Sequence, residues 1–393
     1  MSATESPERL FTGYSGRISN VLAIGWTGSL LGRQAISPLL PAIIDTLSIT
    51  PSQAGFALTL MIGLYSVVQY PGGRFSDDLS RTTILMASLA IMIAGFGLLT
   101  LTPTYAVFLV GVAAVGTGNG AFFSPSRVFL SDLFVERRGH VLGVHLTAGQ
   151  LGGVLAAGSA AVVLSVTRWQ FVFVPAILLL GVVLVLLHRW SREPYVLAPV
   201  RLDLLATARR VSGTSGIRGL FVASVLVSFA ITAFSGFLPT FLQVEKGVSP
   251  VLASGGFALI YVVGMGVGPV AGYLSDRFRR ETVPIVSLLV GAIGLLALLL
   301  GHSRPVLALG IVGTAIGFWG FLPPITAAFM DLLPDDSLGA DFGLLKAVFS
   351  GLGSLGPVYV GIVAEWASYA TAFGTLLGCL VGSALVIVAT ARS

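Results

Sequence analysis

The sequence predicts an all-α membrane protein of twelve transmembrane helices arranged as two six-helix halves, and three observations predict it. Of 393 residues, 55% are apolar and only 10% charged, where a soluble domain carries roughly 25% charged residues. Twelve stretches of about the 20 apolar residues that a spanning helix needs can be laid down between Ile18 and Ala389. The longest polar stretch, His188 to Arg218, divides those spans six and six.

In order, the expected spans of the first half are Ile18–Ile44, Ala54–Pro71, Ile84–Leu101, Val107–Phe129, Val141–Val166 and Phe171–Leu187. Those of the second are Leu220–Leu242, Leu252–Leu274, Val283–Leu300, Val306–Met330, Leu344–Ala364 and Ala370–Thr390. Each is an apolar run bounded by a polar break. The chain is therefore expected to consist of a cytoplasmic tail (1–17), a first half (18–187), a cytoplasmic linker (188–218) and a second half (219–390).

The first 17 residues lack the apolar core of a signal peptide, and an even number of spans puts both termini on one side. Short cytoplasmic loops retain an excess of Lys and Arg. With the N-terminus inside, 17 of the 22 basic residues fall at cytoplasmic positions, three outside (Arg168, Lys246, Arg304) and two inside helices (Arg33, Lys346). Topology thus explains the net charge of +5, and no nucleic-acid partner is needed. The expected partners are the lipid bilayer of the cell membrane and a small-molecule solute, with the chain acting as a monomer. A single cysteine, Cys379, rules out an internal disulfide framework. There is no H-E-x-x-H and no Walker loop, so neither zinc chemistry nor ATP-driven pumping is indicated, and no cofactor, metal or enzymatic activity is expected. The G-x-G-x-x-G of residues 351–356 lies inside a span with no strand before it, and close helix packing explains it.

One internal repeat is visible. GRFSDDLSR (residues 73–81) aligns without gaps with GYLSDRFRR (272–280) at an offset of 199 residues, half the chain. Both follow the second span of their half, and they resemble the G-x-x-x-D-R-x-G-R-R signature of the major facilitator superfamily. The first copy departs from that pattern with Asp78 and Ser80, while the second keeps Gly272, Asp276, Arg277 and Arg280. Residues 131–139 (SDLFVERRG) and 353–361 (GSLGPVYVG) add to the resemblance. It implies a conformational switch, with Gly73 and Asp77 in its first copy, in which Asp77 meets the start of span eleven near Phe342 to Leu345. Arg81 would pair with Asp132 or Glu136, and Asp276 would do the matching work in the second half.

Ionisable residues at membrane depth are rare and mark functional sites by default. Arg33 lies 16 residues after Arg17, about 24 Å along a helix, too deep to reach the cytoplasmic surface. Every Asp and Glu falls in a loop or at a helix end, so Arg33 lacks a carboxylate partner at its depth. An anionic solute would supply the missing charge, and a guanidinium fork suits carboxylate or phosphate. Residues 32–41 (GRQAISPLLP) resemble the first helix of organic-anion and organophosphate facilitators, which implies substrate contact at Arg33 and Gln34; backbone carbonyls near Pro38 and Pro41 are the alternative partners.

Lys346 could reach the cavity or, along its own stem, cytoplasmic water or Asp341. His145 is the candidate for carrying a proton, against a packing role. Tyr65, Gln69, Asn119, Gln150, Tyr261 and Trp319 complete the candidate lining, since the resemblance places spans two, four, five, eight and ten around a central cavity. The arginine common in span four of proton-coupled members is replaced by Val112, and span five lacks the Gly-Pro of antiporters. The expected function is secondary, rocker-switch transport of an organic anion. The alternatives are efflux of hydrophobic or drug-like solutes, with Trp319, Phe122, Phe123 and Phe318 lining an apolar pocket, and a non-transporting receptor with a carrier fold.

Overall fold

The computed structural model describes residues 12–196, 216–334 and 338–392, and among them no strand occurs. The first half comprises α1 (Gly13–Leu47), α2 (Pro51–Asp78), α3 (Arg81–Leu101), α4 (Tyr105–Leu133), α5 (Arg138–Val166) and a tight turn, Trp169–Phe173, that runs into α6 (Val174–Trp190). The second comprises α7 (Ile217–Val244), α8 (Pro250–Arg277), α9 (Thr282–Leu300), α10 (Arg304–Leu332), a broken span α11 (Leu338–Gly353) and α12 (Gly356–Trp366), and α13 (Tyr369–Arg392). Eleven spans are long and apolar enough to cross a membrane. The twelfth, α1, carries Arg33 and packs on α5 and α6. The expected linker lies largely outside the described residues.

The repeated motif does not sit in loops as the sequence suggested. Gly73 to Asp77 fall within α2 and Gly272 to Asp276 within α8, because neither segment holds a residue that stops a helix until the turns at Leu79–Ser80 and Phe278. Ser80 then caps α3, its hydroxyl accepting from the Thr83 N–H at 3.2 Å. The side chains of Gly73 and Asp77 lie outside the described residues, so the expected Asp77 contact is not described.

Span eleven is also not one helix. Pro357 has no N–H and its ring clashes with the carbonyl four residues earlier, so the helix stops at Gly353 and restarts at Gly356. In a membrane the freed groups need partners. The Thr232 hydroxyl donates to the Gly353 carbonyl at 2.6 Å, and the Val358 N–H to the Thr59 hydroxyl at 3.1 Å. Gly353 and Gly356 lie against Ser228 and the Phe229 carbonyl of α7, where no side chain fits.

The 199-residue offset extends beyond the motif into packing. A side chain on Gly95 would meet Val115 and one on Gly111 would meet Leu99; 199 residues on, Gly294 faces Thr314 and Gly310 faces Leu298. The α3–α4 and α9–α10 hairpins are thus built alike. The halves meet where α2 lies along α11 and α12, α5 along α8, and α1 against α7. At one end of that seam Gly55 abuts the Pro357 carbonyl, Gly361 abuts the Pro51 carbonyl, and the Ser52 N–H donates to Glu365 at 2.7 Å. By the expected topology this is the outer end.

A candidate anion site between the halves

The sequence marked Arg33 and Lys346 as intramembrane cations; the structure adds a third. The expected span Val107–Phe129 contains Arg127 two residues before its end, where the count of basic residues places it with the cytoplasmic charges. Helix α4 instead continues to Leu133, and Arg127 turns back over Phe123, one turn earlier on the same face, with its guanidinium carbon 4.3 Å from the ring centre. An arginine four residues after an aromatic residue was the available signal, since such pairs share a helix face.

These cations converge on two touching rings. Tyr65 on α2 and Phe123 on α4 meet edge to face with centroids 6.0 Å apart. Arg33 from α1 covers Tyr65 at 4.4 Å, while Lys346 Nζ from α11 lies 4.3 Å from the Phe123 centre. Lys346 therefore points into the seam rather than along its own stem to water. Among the described residues, the ion pairs join Arg81 to Asp132 and Glu193, Arg279 to Glu281, and Arg280 to Asp276 and Asp331. None involves Arg33, Arg127 or Lys346.

The guanidinium N–H groups are also incompletely used. Nε and Nη1 of Arg33 and Nε of Arg127 are buried without a hydrogen-bond partner, a costly state for a charged donor. Cation–π contact supplies part of the compensation, about 2 kcal/mol or more when desolvated. The arrangement is one that an anion with several acceptor atoms would complete.

The other candidates separate into neighbours and outliers. Tyr261 packs its ring on Gly153 of α5 and is 5% exposed. Gln34 and Gln150 are half-buried on α1 and α5. His145 is buried against Trp26, with ring centroids 5.8 Å apart, and its Nε2 lies 3.4 Å from the Ser126 hydroxyl beside Arg127. Gln69 donates to the Tyr65 carbonyl of its own helix at 3.3 Å. Asn119 is turned to α3, its amide donating to Met92 Sδ at 3.4 Å, and Trp319 donates to the Ile260 carbonyl at 2.9 Å while covering Gly264. Asn119 and Trp319 thus join helices within their own halves instead of facing the seam, as Asn and Trp with a single reachable partner in a membrane interior do. The expected apolar pocket is dispersed in the same way: Phe318 packs on Phe234, while Phe122 stacks on Trp26.

The Major Facilitator Superfamily pattern matches residues 22–357, and again 220–392. The chain belongs to that superfamily. As a facilitator it is a multi-pass membrane protein and a secondary transporter of a small solute, not an enzyme. It is similar to the "Probable nitrate transporter NarT" of Staphylococcus epidermidis, 22% identical over 72% of each chain. It is also similar to the "Transcription regulatory protein OpdE" of Pseudomonas aeruginosa, 25% identical over all of this chain and 97% of the relative. Among solved structures, a bacterial homolog of the human lysosomal transporter Spinster, in an inward-facing and occupied conformation, superposes with a TM-score of 0.83 at 18% identity over 97% of both chains. That likeness establishes the fold.

Proposed function

We propose that this facilitator carries a small organic anion, held between Arg33, Arg127 and Lys346, by rocking of its two halves around that site. The observation that carries the reading is the convergence of three cations on the Tyr65–Phe123 pair with buried guanidinium donors unpartnered. A nitrate transporter among the relatives is consistent with an anionic solute. The regulatory name of another relative fits the receptor alternative, in which the anion binds and is not moved.

Thermal stabilisation of the purified protein by carboxylates, sulfonates, phosphate esters and hydrophobic cations tests binding, because a ligand at 100 times its dissociation constant adds about 2.7 kcal/mol. An anion that protects wild type, fails to protect Arg33→Gln and Arg127→Gln, and exchanges across proteoliposomes supports the reading. Protection by hydrophobic cations alone, equal in all three proteins, overturns it in favour of efflux; binding without exchange favours the receptor.

A further inference from the structure

The three intramembrane cations fall into two groups. Arg33 lies over Tyr65, 4.4 Å from the ring centre, whereas Arg127 and Lys346 both lie over Phe123, each 4.3 Å from its centre. The two ring centres stand 6.0 Å apart with their planes at 74°, so one ring carries a single charge from α1 and the other a pair from α4 and α11. Each pole holds donors in need of a partner: Nε and Nη1 of Arg33 at one, Nε of Arg127 at the other, all buried without a hydrogen bond. Yet Arg33, Arg127, Lys346 and Tyr65 each keep part of their surface open, as side chains bordering a cavity do.

No ion pair among the described residues neutralises either pole. A carboxylate held by the pair at Phe123 leaves Arg33 as a buried charge without compensation, which is costly; a second anionic group on the same solute removes that cost. What joins the poles is aromatic surface, which suits an aliphatic spacer better than a hydroxylated one, because a buried hydroxyl without a partner is penalised. The separations of 4.4, 6.0 and 4.3 Å laid end to end bound the distance from Arg33 to Lys346. With charge-assisted bonds of about 2.8 Å taken up at each end, no more than about five methylenes fit between the two anionic groups.

We propose that the solute is a short two-ended dianion, a dicarboxylate or a sulfocarboxylate, with one end held by Arg127 and Lys346 over Phe123, the other by Arg33 over Tyr65, and its spacer lying along the two rings. This rests on the anion reading above and adds to it the number of charges and their spacing.

The test titrates thermal stabilisation of the purified full chain with pairs that differ only in a terminal methyl or carboxylate: butyrate against succinate, valerate against glutarate, propanesulfonate against sulfopropionate. In at least one pair the dianion is expected to bind wild type 10- to 100-fold more tightly than its partner, the worth of one charge-assisted hydrogen bond. Arg33→Gln is expected to bring that dianion down to the level of its monoanion while leaving the monoanion, held at the Phe123 pole, within about threefold. The wild-type ratios need no variant, so the proposal is decided even if Arg33→Gln does not fold. Equal affinity within all three pairs overturns the two-ended solute and leaves the anion reading standing, as does doubly ionised methylphosphonate binding as tightly as the best long dianion. Stabilisation by none of these anions overturns the anion reading and this inference with it.

Discussion

Arg280 Nε lies 2.9 Å from Asp331 Oδ2, tying the start of α9 to the end of α10. The same tie appears 199 residues earlier, where Arg81 pairs with Asp132 at 2.5 Å, one of the two partners expected for it. Both pairs are partly exposed, at 29–53% of their side chains, so each adds no more than about 1 kcal/mol to stability. Each joins the turn that follows α2 or α8, the helix carrying the motif aspartate, to the end of α4 or α10, and we propose that this role is positional. Asp331→Asn is therefore expected to leave the melting temperature nearly unchanged while slowing counterflow in proteoliposomes several-fold. The swap of Arg280→Asp with Asp331→Arg is expected to recover at least half of the loss; a swap no better than either single change refutes the positional role.

How legible the site was follows from where each residue's depth could be judged. Arg33 was readable because 16 apolar-flanked residues separate it from Arg17, and no rotamer spans that distance. Arg127 was not, because it stands two residues from the expected end of span four at Phe129, where an arginine is ordinarily placed in cytoplasmic water, and its turn back over Phe123 is a matter of rotamer that sequence does not give. Lys346 was left between the cavity and cytoplasmic water, because sequence gives its height on α11, whereas its azimuth, toward Phe123, depends on how the halves pack. The hydrogen bonds of Asn119 to Met92 and of Trp319 to the Ile260 carbonyl likewise depend on packing within each half, which depth alone does not give. Twelve spans were readable from hydropathy, yet the break after Gly353 was missed, since apolar composition continues through it and only Pro357 marks the interruption.

Glycine positions give a sharp contrast in packing. A methyl group on Gly294 would meet Gly313 and Thr314 main chain at 2.5–2.6 Å, with backbone on both sides and no flexible side chain to give way. Gly294→Ala is expected to destabilise the detergent-solubilised protein by about 1–3 kcal/mol, as overpacking does. Gly181 has nothing within 4 Å of the same position, so Gly181→Ala should be neutral or stabilising by up to about 1 kcal/mol. Comparable melting temperatures for the two variants would contradict the close α9–α10 contact.

Glu365 of the second half accepts the Ser52 N–H at 2.7 Å and so caps the start of α2 in the first half. Loss of a helix cap costs roughly 1 kcal/mol, and here the cost falls only on the state in which that end of the seam is closed. Glu365→Ala is expected to shift the equilibrium toward opening at that end by about fivefold, the factor that 1 kcal/mol represents. Labelling of a cysteine placed at Thr59 should quicken accordingly, in the variant with Cys379 replaced. An unchanged labelling rate would show that the glycine contacts at Pro51 and Pro357 hold the seam without this hydrogen bond.

Lys346 differs from Arg33 and Arg127 in the half to which it belongs. Arg33 and Arg127 sit on α1 and α4 of the first half, while Lys346 reaches from α11 of the second half to a first-half ring, 4.3 Å above Phe123. A solute drives a conformational change only through interactions that differ between states, and an anion bound by Arg33 and Arg127 alone would hold one half without drawing in the other. Arg127→Gln removes a charge-assisted hydrogen bond worth about 1.5–3 kcal/mol, so it is expected to raise the dissociation constant of the anion roughly 10- to 100-fold. Lys346→Gln is expected to weaken equilibrium binding less than tenfold and to depress exchange by more than that, because it cuts the link between halves rather than the primary grip. Titrating thermal stabilisation and exchange for both variants in parallel separates these outcomes. If Lys346→Gln lowers exchange only in proportion to its affinity, Lys346 is a third gripping charge and the coupling between halves must run through the aromatic contacts of Tyr261 on Gly153.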